Sequence, residues 1–71
     1  MTRFLRYSLE HQRKIRTMLC LDGKLAQKTA LVLSYTDETV TLQIERRKEP
    51  LTLRLSDVLS CDYAKGDHGE D

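Results

Sequence analysis

Six cations gathered in two short stretches are the residues of this sequence best suited to recognition chemistry: Arg13, Lys14 and Arg16, then Arg46, Arg47 and Lys48. Guanidinium and ammonium groups at that density attract phosphates, and such binding weakens with salt because counterions are released on contact. If the fold brings the two stretches together, these six are the expected nucleic-acid-binding set. The competing reading is solvation, since basic residues in a hairpin connection also keep a sheet edge from pairing with other chains. Stacking of single-stranded bases would need exposed aromatic rings beside the cations. Of the aromatics Phe4, Tyr7, Tyr35 and Tyr63, Tyr7 and Tyr35 are the candidates, although a helix tyrosine and a turn tyrosine more often cover the end of a barrel.

Catalysis finds no comparable constellation. Ser56 with Asp57, Ser60 with Asp62, and His68 come nearest to a nucleophile and its base. His68, however, falls in a C-terminal stretch with no apolar residue to hold it in hydrogen-bond geometry. His11 beside Glu10 reads as a surface pair. Gly23, Gly66 and Gly69 lie apart and make no phosphate loop. Cys20 and Cys61 are far apart in sequence, whereas zinc ligands normally come in close pairs. The expectation is a non-enzymatic chain with no metal, no cofactor and no small-molecule substrate.

The 71 residues hold 12 Lys and Arg against 11 Asp and Glu, which suits one small domain. A domain of this size buries only about 60% of the surface its unfolded chain exposes, leaving little room for a deep substrate pocket. Hydrophobic residues at 39% and charged residues at 32% fit a folded chain better than a disordered one. No apolar run approaches the ~20 residues that span a bilayer, and no secretory leader is visible, so no membrane partner and a cytoplasmic location are expected. Charge is uneven along the chain: residues 1–54 carry 11 cations and 6 carboxylates, residues 55–71 carry 1 and 5. The body is therefore basic and its end acidic.

Periodicity then supplies the elements. Leu5 and Leu9 one turn apart, beside Phe4, predict a short helix over Arg3–Gln12 with Thr2 as its cap. From Lys14 the pattern becomes alternation, with Ile15, Thr17, Leu19 and Leu21 on one face. Asp22 and Gly23 suit a two-residue turn that needs positive φ twice. A long second strand, Lys24 to Ser34, does not keep one parity of apolar residues, as expected where a sheet bends at a bulge. The third strand places Val40, Leu42 and Ile44 inward, and after Pro50 the fourth places Leu51, Leu53 and Leu55 inward. Ser56 to Leu59 read as one helical turn, Ser60 to Tyr63 as a final strand, and residues 65–71 as a disordered acidic tail beyond a single domain of residues 1–64. The expected core is Leu5, Leu9, Ile15, Leu19, Leu21, Leu31, Leu33, Val40, Leu42, Ile44, Leu53, Leu55 and Val58. The fold class is mainly β with one N-terminal helix: a five-stranded barrel in the order α-β-β-β-β-β, with a one-turn helix before the last strand.

That order resembles the small Sm-like and SH3-like barrels. The helix, basic linker, strand and "LDGKL" turn, within Leu5 to Leu25, look like the start of the bacterial RNA-chaperone Sm proteins. The closing "LRLSDVLSCDY" resembles the end of the Rho-inhibiting protein Rof, and "LRYSLEHQRKIR" is similar to the opening helix and strand of WYL domains. Where the RNA-chaperone Sm proteins carry a lysine and a histidine, this chain has Leu55, Ser56 and Asp57, and their base-stacking aromatic falls on Thr39. The resemblance implies a regulatory binding module linked to nucleic acid, with RNA or single-stranded DNA as partner. It also implies an alternative, a protein-interaction adaptor or homo-oligomer assembled through barrel edge strands. Thr52 and Arg54 on the fourth strand would not block such pairing.

Overall fold

A computed structural model describes residues 2–67, and each element in it follows from a local feature of the chain. Helix α1 spans Thr2–His11 and buries Leu5, Tyr7 and Ser8 while Arg3, Arg6 and Glu10 stay in solvent. It stops where Gln12 turns left-handed at φ 54° and the Arg13 N–H donates to the Ser8 carbonyl at 3.2 Å, the six-to-one bond of a helix C-terminal motif. Strand β1, Ile15–Leu21, then meets β2, Lys24–Tyr35, through Asp22 at φ 52° and Gly23 at φ 76°. Both turn residues have positive φ, as the sequence predicts. Strand β3, Thr39–Ile44, buries Val40, Leu42 and Ile44 on one parity, and β4, Leu51–Arg54, pairs with it. A single 3₁₀ turn over Leu55–Asp57 leads into β5, Val58–Tyr63, so the turn ends and the strand begins two residues earlier than expected.

The five strands form one antiparallel sheet in the order β4-β3-β2-β1-β5. The expected mainly β class, with its helix first and its one turn before the last strand, is therefore the observed one. Four strand spacings of about 4.8 Å would separate the edges of a flat sheet by about 19 Å. The chain crosses from Arg54 at one edge to Val58 at the other in four steps, which reach at most about 14 Å. The sheet must therefore curl. It curls without closing, because β4 pairs with β3 and β5 pairs with β1, and no pairing joins β4 to β5. "Barrel" thus describes its curvature and not its hydrogen bonding.

Two bulges set the curvature and correct the expected core. Val32 pairs with Leu42 and Ser34 with Thr41, leaving Leu33 without a partner. Met18 pairs with Ser60 and Leu19 with Val58, leaving Leu59 without one. Both leucines are pushed outward, 42% and 49% exposed. Before the first bulge the inward parity of β2 is even, so Ala30 and Val32 are buried where Leu31 and Leu33 were expected; Leu31 is only half-buried. Leu9 is 38% exposed because α1 turns Leu5, Tyr7 and Ser8 to the sheet instead. Leu21, Leu53 and Leu55 are half-buried and packed against the core.

The helix closes one end of this curl, lying against β2 and β5. Phe4 meets Tyr63 edge-on at 4.9 Å between centroids, and Tyr7 meets Tyr63 edge-on at 5.2 Å. The Tyr7 hydroxyl donates to the Asp67 carboxylate, 2.7 and 2.9 Å from its oxygens, and Asp67 is held back by its own N–H donating to the Ala64 carbonyl at 2.9 Å. The described residues run past residue 64 to Asp67, and residues 68–71 of the expected tail lie outside them. No helix among the described residues is long and apolar enough to cross a membrane.

Candidate nucleic-acid interface

The two basic stretches meet through an ion pair. Ile15 of β1, Ala30 of β2 and Ile44 of β3 lie in one row across the sheet. The residues just outside that row, Lys14 and Glu45, are thereby brought together, and the Lys14 ammonium donates to the Glu45 carboxylate at 3.0 Å. Arg13 precedes the one and Arg46 follows the other, so the helix-to-strand junction and the β3–β4 connection share a surface. Arg13, Lys14, Arg46, Arg47 and Lys48 are all exposed there, five cations beside the carboxylates of Glu45 and Glu49.

Arg16 does not join them. Its Nε donates to the Tyr63 carbonyl at 2.9 Å and its Nη2 lies 3.4 Å from an Asp62 oxygen, which turns the guanidinium toward β5. Arg47 lines a shallow cavity with Cys20, Leu21, Asp22, Leu51, Leu53 and Asp57, facing the tip of the β1–β2 hairpin. Arg46 holds φ 73°, in a turn closed by the Arg47 N–H donating to the Ile44 carbonyl at 3.0 Å. Glycine or asparagine is the usual occupant of a positive-φ turn position, so an arginine there carries a local backbone cost.

The two candidate stacking rings are both engaged by the fold. Tyr7 is 8% exposed, its ring flanked by Tyr63 and by His11 at 5.0 Å. Tyr35 is half-buried against the core, pairing with Val40 at the end of β2. The ring of Tyr7, which a single strand would need exposed, is largely covered by these contacts.

The sequence does not single out Glu45, because counting cations alone hides the acid that pairs with one of them. Its position at the end of a clean β alternation, beside three cations, is the signal that marks it. Cys20 and Cys61 lie on opposite faces of the sheet, Cys20 on the outward parity of β1 and Cys61 opposite the buried Thr17, and both are free thiols. Burial raises the Cys61 thiol above its ordinary pKa of 9.0. Among the described residues no group of three or more His, Cys, Asp or Glu is placed to hold a metal ion, and His68 lies outside them. Comparison with protein-family models, with curated proteins and with solved structures finds no match to this chain.

Proposed function

We propose that this chain is a non-enzymatic binding module of regulatory type, which holds single-stranded RNA or DNA on the surface formed by Arg13, Lys14, Arg46, Arg47 and Lys48. The observation that carries this reading is the Lys14–Glu45 pair at 3.0 Å, which joins two basic stretches 31 residues apart into one face. The positive-φ arginine supports it, since that backbone position favours glycine and an exposed guanidinium there has a use other than folding. The resemblance in element order to the RNA-chaperone Sm proteins points the same way. The test is the triple change Arg46→Ser, Arg47→Ser and Lys48→Ser, titrated with single-stranded RNA and DNA at two salt concentrations. Each lost phosphate contact lowers the salt slope by about 0.7 for single strands. Arg16→Ser serves as the control that leaves the slope unchanged. Binding that the triple change does not alter, or a wild-type chain that fails to bind at low salt, overturns the reading.

A second reading, an adaptor or homo-oligomer assembled through edge strands, is favoured by the open sheet with β4 and β5 at its two edges. Mass in solution at high salt after nuclease treatment separates the two. A fixed oligomer under those conditions supports edge assembly, and a monomer whose mass rises only with added RNA supports the first reading.

A further inference from the structure

We propose that the free edge of β2 between Lys24 and Lys28 is a docking site for an extended acidic segment of a partner protein, which adds to the sheet as a further strand. This inference does not rest on the nucleic-acid reading.

Strand β2 has 12 residues and β3 has 6. Only Ala30 to Tyr35 lie opposite β3, so the first part of β2 is paired with β1 alone. A two-residue hairpin places a hydrogen-bonded pair next to its turn, and pairs alternate from there. Leu21–Lys24, Leu19–Ala26 and Thr17–Lys28 are then the bonded pairs of the register, whereas Cys20–Leu25 and Met18–Gln27 are not. The N–H and C=O groups of Leu25 and Gln27 consequently point away from β1, toward the side where β3 has already ended. Thr29, next in the same alternation, shows that direction, because its carbonyl accepts the Glu45 N–H at 2.9 Å. There the chain turns off. Among the described residues no backbone hydrogen bond from the β3–β4 connection reaches Leu25 or Gln27.

Donors and acceptors repeating every second residue are what an added strand satisfies. The side chains select its chemistry. Lys24 and Lys28 are exposed on one face of the edge with Ala26 between them, and Leu25, 68% exposed, lies with Gln27 on the other. A segment with carboxylates on alternate residues sets them beside the lysines and its intervening apolar residues beside Leu25. A second copy of this chain fits less well. The antiparallel self-pairing that uses Leu25 and Gln27 of each copy is centred on Ala26 and sets Lys24 of each opposite Lys28 of the other, a like-charge pairing.

The test reads amide hydrogen exchange by NMR on the full chain, with a capped octapeptide of alternating Glu and Val and a matched one of alternating Lys and Val. The Glu–Val peptide is expected to slow exchange at Leu25 and Gln27, and the Lys–Val peptide is not. Gln27→Pro removes a donor that β1 does not use, so the hairpin persists and the protection is lost. The pair Lys24→Glu and Lys28→Glu keeps every backbone group and should invert the preference toward the Lys–Val peptide. No protection at either amide, equal protection by both peptides, or a preference that survives the charge reversal overturns the proposal. Protection of those two amides by single-stranded RNA instead of peptide, or by self-association of the free chain, overturns it as well.

Discussion

The Ser8 hydroxyl oxygen accepts the amide proton of Val32 at 2.9 Å, and both residues are almost wholly removed from solvent, at 0% and 2% exposure. Ala30 is the last residue of β2 that pairs with β1, and two positions further on the helix supplies the acceptor that a strand would otherwise provide. Helix and sheet are thus joined by a specific polar contact as well as by the packing of Leu5. Ser8→Ala leaves a buried amide without its acceptor and should cost about 1–3 kcal/mol. Urea unfolding should show a lower midpoint at unchanged slope. A midpoint equal to wild type would mean that the helix is held by apolar contact alone.

The bulge at Leu33 makes neighbouring residues unequal. Val32→Ala should cost about 2 kcal/mol, since it opens a cavity among fully buried neighbours. Leu33→Ala should change stability by no more than about 0.5 kcal/mol, because that side chain is already 42% exposed. Leu42→Ala, opposite Val32 on β3, falls in the range of about 2–5 kcal/mol expected for a buried leucine. A Leu33 change costlier than the Val32 change would place the register one residue away.

Tyr7 and Asp67, 60 residues apart, form a hydrogen bond that ties the C-terminal segment to the helix. Tyr7→Phe and Asp67→Ala should each destabilise the chain, and together by less than the sum. The coupling expected for a hydrogen bond to a carboxylate is about 1–3 kcal/mol. Strict additivity in the double-mutant cycle would show that the contact contributes nothing to the folded state.

Arg46 separates stability from the proposed binding. Glycine at its φ of 73° removes a cost of about 1–2 kcal/mol, offset in part by the entropy that glycine loses on folding. Arg46→Gly should therefore raise the unfolding midpoint while lowering affinity for single-stranded RNA. Parallel loss of both would show that the side chain has a folding role.

Cys61 gives stability an alkaline limb. Its pKa is raised by burial in the folded chain, so the unfolded chain loses the thiol proton first. Stability from this group is fully present below pH 9.0 and declines as pH rises from there through the higher folded value. Cys61→Ala should flatten that decline in thermal unfolding measured across the alkaline range, whereas an identical slope in both proteins would assign it to other groups.

Strict alternation through Ile15, Leu19, Val40, Leu42 and Ile44, together with the Asp-Gly turn, was enough to determine β1 and β3, their inward faces and the first hairpin. Such features are local, since a period of two and a pair of positive-φ residues act within a few positions of chain. The two basic stretches were visible for the same reason. What tertiary structure alone decided are the places where distant segments meet. The parity of β2 depends on which residue the bulge leaves unpaired against β3, and Leu33 and Val32 are equally apolar in sequence. Whether Lys14 and Arg16 stay free depends on Glu45 and Asp62, brought beside them by sheet register and not by sequence proximity. The fate of Tyr7 was settled by Tyr63 and Asp67, and the acceptor for Val32 by a serine from the helix. Each is a long-range contact, fixed only when strand pairing and curl are complete, because burial and hydrogen bonding at a residue are properties of everything packed around it.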